Sequence, residues 1–154
     1  GDKQRHGLRE LVAQSRALRM LATYEHAHNF RYATVVWSRL DMFWLHAHPG
    51  VGPVAAGLVD TSFCPVWSPY TEDYAGLQDR HGVMSRDASA LYLGRLDVVM
   101  DNSRFLAVYP ELTSGRLSAT TSERMLARLL AFFNVTVCRF PSYSFLQCCS
   151  ALGG

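Results

Sequence analysis

The stretch Asn29–His48, NFRYATVVWSRLDMFWLHAH, decides the fold. Its apolar residues Ala33, Val36, Trp37, Leu40, Phe43, Trp44 and Ala47 recur at three- and four-residue steps. That period gathers side chains on one face of an α-helix. Pro49-Gly50 then supplies a stop, because proline lacks the amide proton and clashes with the preceding turn. This reading predicts a helix over 30–48. Thr34-Val35-Val36-Trp37 is nevertheless rich in β-branched and aromatic residues, so a strand ending at His46 is the competing expectation.

Working outward, Leu8, Leu11, Val12, Leu18, Leu21 and Ala22 follow the same helical period and predict an amphipathic helix over 5–27. Ser85 is placed to cap a helix over 86–100, with Asp87 near its positive end. A hairpin over 97–109 is the alternative there. Thr120 and Glu123 have capping-box spacing ahead of Met125, Leu126, Leu129, Leu130 and Phe133, which predicts a helix over 120–134. Val135–Cys138 reads as a short strand. Residues 49–84 hold four of the six prolines and five glycines, and read as one irregular connection. Together these predict a single compact domain, mostly α, with four principal helices and a few short strands. An α+β fold is the alternative.

At 154 residues, with 49% hydrophobic and 18% charged side chains, the chain has the composition of a folded domain. No apolar run approaches the roughly 20 residues that cross a bilayer. The net charge is +2, with arginines scattered singly among acidic and apolar neighbours, so no basic face offers itself to nucleic acid. Lys3 is the one lysine beside fourteen arginines, a skew expected of a GC-rich source such as a large DNA virus or an actinobacterium. The charged opening GDKQRHGLRE has no apolar signal-type core. Location is therefore expected to be intracellular, in cytoplasm or nucleus, with secretion as the alternative. Cys64, Cys138, Cys148 and Cys149 contain no Cys-x-x-Cys, and free buried cysteines are the expectation. Two disulfides and a glycan on the Asn134-Val135-Thr136 sequon belong to the secreted alternative.

Two His-x-His pairs carry the candidate metal chemistry. Residues two apart share a face on a strand but lie about 200° apart on a helix, so His46 and His48 grip one ion only in the strand reading. In the helical reading, they and His26/His28 sit at helix ends and favour the negative dipole end. The string FWLHAHPGVG, Phe43–Gly52, resembles the metal-binding segment of JAMM-type metalloisopeptidases. That resemblance implies His46, His48 and Asp60 as zinc ligands and Glu25 or Glu10 as the base on a zinc-bound water. The aspartate falls one residue later than that family's spacing, and Ala55, Ala56 and Gly57 stand where its serine belongs. Cysteine nucleophiles and Ser/His/Asp catalysis find no local signature here.

The aromatic segment around Phe63, Trp67, Tyr70 and Tyr74 lies in the Pro/Gly-rich connection. Loop aromatics bring large apolar area to an interface at low entropic cost, which marks Trp67, Tyr70 and Tyr74 as partner-binding candidates. The leading expectation is a non-enzymatic interaction or scaffold domain, with another protein as partner, self-association as an option and no cofactor. A zinc hydrolase built on His46, His48 and Asp60 is the alternative, followed by a secreted helical factor with disulfides.

Overall fold

Residues Thr34–Ser38 form a β-strand, β1, so the helix expected over 30–48 does not exist. The computed structural model describes residues 2–51, 59–70, 73, 76–110, 121–142 and 144–146, with 2–7 and 145–146 as backbone only. Around β1, the elements are α1 (Asp2–His28), β2 (Met42–Trp44), β3 (Val66–Pro69), β4 (His81–Ser85), α2 (Arg86–Leu93), α3 (Arg95–Met100), α4 (Asn102–Val108), α5 (Ser122–Phe132), β5 (Val137–Phe140) and β6 (Ser144–Leu146). The fold is α+β, which overturns the mostly α expectation. A four-stranded mixed sheet runs in the order β1-β4-β3-β5, and β2 pairs with β6 in a separate ribbon.

The reason lies in how β1 spends its side chains. Val35 and Trp37 turn to the helix-side core, while Val36 between them is 48% exposed. That is alternation with period two, and β4 supplies the backbone partners from Thr34↔Ser85 to Ser38↔His81. The helical spacing is a coincidence of two strands and a turn. At that turn Arg39 grips the Asp41 carboxylate through two hydrogen bonds, of 2.9 and 2.6 Å, and Leu40 is wholly exposed.

β4 runs antiparallel to β1 and β3, and β3 runs parallel to β5, so β1, β3 and β5 all point the same way. One face of the sheet carries Val66 and Met84, packed with Ala88, Tyr92, Leu93, Leu126 and Leu130 from α2 and α5. Each fully buried leucine of this layer contributes roughly 2 kcal/mol. The other face carries Val83 and Phe140 under Val59, with Val51 and Trp67 packed beside them. On this side Cys138 of β5 is joined by a disulfide to Cys64, with the Cα atoms 6.1 Å apart. The expectation of free cysteines does not hold for this pair. The 49–84 segment, expected to be irregular, thus contains both central strands.

α1 packs across α2 and α3 and buries Leu11, Gln14 and Ser15. It ends where Asn29 takes φ 53°, with Phe30 N donating to Glu25 O and Asn29 N to His26 O, a Schellman closure. α5 closes in the same way on Asn134, also at φ 53°. The helix expected over 86–100 is two helices, broken at Gly94, where a Cβ would stand 2.2 Å from Ala90 O. Asp101 caps α4 by accepting from the Ser103 and Arg104 amides, which replaces the alternative hairpin over 97–109. The cap of α5 is Thr121, accepting from Arg124 N at 3.2 Å. Thr120, the expected cap, lies outside the described residues.

Candidate functional site

Because β1, β3 and β5 run together, their carboxyl ends fall at one edge of the sheet, where β4 begins. Residues just beyond those ends are held by the ladder but freed from it, which is why open sheets with helical cover bind ligands there. Arg39 follows β1, Asp79 and Arg80 precede β4, and Arg39 N donates to Arg80 O at 2.9 Å. From the helical layer, α1 brings Glu10 and Gln14 and α5 brings Glu123.

The charges interlock. Arg39 holds Asp41 and reaches Glu10 at 3.8 Å, and Arg80 meets Glu123 at 3.6 Å. Behind them Arg95 bonds Asp79 at 3.3 Å, Gln14 Oε1 at 2.8 Å and Ser122 O at 3.0 Å, while the Ser122 hydroxyl donates to Asp79. Burial pushes the Glu10 carboxyl up to about 7, and repulsion from Asp79 adds to it against the pull of Arg95 and Arg39. Asp41 goes the other way, held below the ordinary range by its hydrogen bonds from Arg39. Two carboxylates on one arginine, driven apart in acidity, are an acid–base arrangement. Both side-chain polar atoms of the fully buried Gln78, and Arg95 Nε, have no hydrogen-bond partner among the described residues.

On the opposite face of the sheet, at the same edge, His81 opens β4 and meets His48 with Nε2 to Nε2 at 3.0 Å. Trp44 and Phe140 stand edge-on to the His81 ring at 5.0 and 5.7 Å. Burial, then the neighbouring His48, lowers His81 to about 4.

The sequence-derived metal candidates are distributed differently. His48 faces His81, whereas His46 is exposed in the segment after β2. The Asp60 carboxylate accepts from Ser62 N at 2.8 Å and Ser62 Oγ at 2.6 Å, closing a local turn. Glu25 is held by Arg86 at 2.9 Å from both carboxylate oxygens, and these hydrogen bonds keep its carboxyl below the usual carboxylate pKa range. Among the described residues no three His, Cys, Asp or Glu side chains gather closely enough to hold one ion. His26 and His28 end α1, as a helix-terminus reading expects, and His28 Nδ1 lies 2.9 Å from Tyr24 O.

Of the partner-binding candidates, Trp67 is half-buried in the second core and its indole donates to Asp60 O at 3.0 Å. Tyr70 is 54% exposed, with the Arg139 guanidinium over its ring at 5.7 Å. Tyr74 lies outside the described residues. Sequence reading missed Asp79, Arg80 and His81 as site residues; three adjacent titratable side chains inside a supposed loop were the available signal. Among the described residues no helix is long and apolar enough to cross a membrane.

A family model described as a domain of unknown function (DUF7796) matches residues 10–140, a span that takes in both the charged edge and the histidine pair. No curated protein and no solved structure matches the chain.

Proposed function

The chain belongs to the DUF7796 family, and we propose that it is a small-molecule-binding domain with general acid–base chemistry, its site the charged edge of Glu10, Arg39, Asp41, Asp79, Arg80 and Glu123. The observation that carries this reading is the pair Glu10 and Asp41 on Arg39. One carboxyl is raised to about 7 and so exchanges its proton near neutrality, while the other is held ionised, as proton transfer at pH 7 requires. Four carboxylates stand against three guanidiniums once Arg95 is counted, so the edge suits a ligand rich in both donors and acceptors better than a polyanion.

The experiment is turnover of nitrophenyl esters, phosphates and glycosides over pH 5–9 by the native chain and by Glu10→Gln. Turnover with an inflection near 7 that the variant loses supports acid–base catalysis by Glu10. Equal rates in the two proteins, or none with any substrate class, reject it.

A protein-contact function, the leading expectation from the sequence, has its own support at a different place. Tyr24, His28, Phe30 and Tyr32 form a chain of ring contacts 4.1–5.9 Å apart, and Tyr24, Phe30 and Tyr32 are 41–49% exposed. Exposed aromatics on a helix terminus make interface anchors, and Arg31 with Asp87 gives a polar rim. Loss of a bound protein on Phe30→Ser/Tyr32→Ser, with an unchanged melting curve, is the expected result. Unchanged binding removes this surface from consideration. The Cys64–Cys138 bridge favours an oxidising compartment over the reducing one first expected.

A further inference from the structure

His48 and His81 are each fixed by their second ring nitrogen. His48 Nδ1 lies 2.7 Å from Pro49 O and His81 Nδ1 lies 2.8 Å from Trp37 O. A carbonyl oxygen only accepts, so both Nδ1 atoms carry a proton, and in that tautomer of imidazole Nε2 is a bare lone pair. The two Nε2 atoms lie 3.0 Å apart, with the ring centroids at 4.9 Å. Two acceptors at that distance repel unless a positive centre lies between or beside them.

We propose that His48 and His81 form a two-histidine site for a divalent transition-metal ion, bound through Nε2 of each ring. The geometry fits. With metal–nitrogen bonds of about 2.0–2.1 Å, a 3.0 Å nitrogen separation sets the ligand–metal–ligand angle at about 94°, that of adjacent ligands in tetragonal or octahedral coordination. Imidazole pairs of this kind take zinc, copper or nickel and reject calcium and magnesium, which want oxygen. The backbone carbonyls on Nδ1 are what metal-bound histidines use to fix tautomer and ring orientation. Trp44 and Phe140 wall the His81 ring, and His48, half-buried, is the side from which an ion enters. This site shares His48 with the sequence-derived one but replaces His46 and Asp60 by a residue 33 positions on. It is independent of the charged edge.

The test is calorimetric titration of the chelator-stripped full chain with zinc ion, together with copper(II) electron paramagnetic resonance to count coordinating nitrogens. The native chain is expected to bind one equivalent and to show two imidazole nitrogens. His48→Ala is expected to weaken binding at least about tenfold, and His46→Ala to leave it unchanged. His81→Asn is a second probe; should it unfold, the half-buried His48 variant carries the test alone. Binding that survives His48→Ala, or is lost with His46→Ala, overturns the proposal. So does no binding of either ion, which leaves the pair as an imidazole–imidazolium sharing one proton.

Discussion

Asp79 and Arg95 meet at 3.3 Å with side chains 3% and 1% exposed, a charge pair held out of water between the sheet and three helices. α1 contributes Gln14, α3 contributes Arg95 and α5 contributes Ser122 to the same hydrogen-bond group. Removing one partner leaves the other charge buried without compensation. Arg95→Ala is therefore expected to cost about 3–5 kcal/mol, read as a lowered urea midpoint. The double change Asp79→Leu/Arg95→Met should recover most of that loss. If the double variant is as unstable as the single, packing and not charge holds this junction.

Gly76 sits so close to the start of α5 that a Cβ on it would stand 2.1 Å from the Glu123 carbonyl carbon and 2.2 Å from Arg124 N. Neither is a side-chain end that can swing aside. Leu77 N donates to Glu123 O at 3.0 Å, so the contact between the β3–β4 connection and the helix is fixed from both sides. Gly76→Ala is expected to destabilise by about 1–3 kcal/mol, the usual range for overpacking. It should also loosen the Arg80–Glu123 pair, visible as faster amide exchange in the first turn of α5. An alanine variant of native stability would mean the helix shifts at no cost.

Part of the helical layer was legible: the apolar period of α5 buries Leu126, Leu129 and Leu130, while in α1 Leu11 is buried and Leu18 packs on the core although Leu8 of the same pattern stays exposed. The sheet was not. β1 presents its apolar residues at spacings that also satisfy a helix, and what decides between them is β4, whose paired residues lie 43 (Ser38↔His81) to 51 (Thr34↔Ser85) positions away in a segment dense with proline and glycine. In β4, Gly82 looks like a loop residue, yet it is the place where Tyr92 packs on the strand, its hydroxyl 3.0 Å from where a Cβ would be. The prolines of β3 stand at its boundaries, Pro65 before it and Pro69 at its end. As for the site, His48 could be singled out from its motif, but its neighbour His81 is brought by the fold alone. Glu10 was visible as a glutamate on a helix. Its proximity to Arg39 and Asp79 depends on how α1 crosses the sheet edge, which no local pattern encodes.

Glu10 and His81 give the stability opposite pH slopes. Glu10, raised to about 7 by burial and by Asp79, is favoured in its protonated form by folding. Its contribution is full below the ordinary carboxyl value near 4.5 and is lost as the pH rises through 7. His81, lowered to about 4, is favoured neutral, so its contribution is present above 6.5 and is lost as the pH falls toward 4. Glu10→Gln removes the first slope and keeps the second. Relative to the native chain, the variant should gain about 2–3 kcal/mol between pH 4.5 and 7.5, by denaturant unfolding at each pH. A difference that stays flat over that range would show Glu10 titrating as an exposed glutamate.

The Cys64–Cys138 bridge ties the segment entering β3 to β5, its parallel neighbour, across a sequence separation of 74 residues. Parallel strands depend on long connections, and this one includes β4 and helices α2 to α5, so closing it costs the unfolded chain much of its freedom. By chain entropy, a loop of that length is worth about 4 kcal/mol when cross-linked. Cys64→Ser/Cys138→Ser should therefore lower the urea midpoint under non-reducing conditions, and reductant should lower the native chain to match it. Thiol titration of the denatured protein should find two more thiols after reduction than before. Native protein that is indifferent to reductant, with an unchanged thiol count, would mean that the two cysteines pack as neighbours without a bond, and that β3 and β5 are held by their hydrogen bonds and Val66 alone.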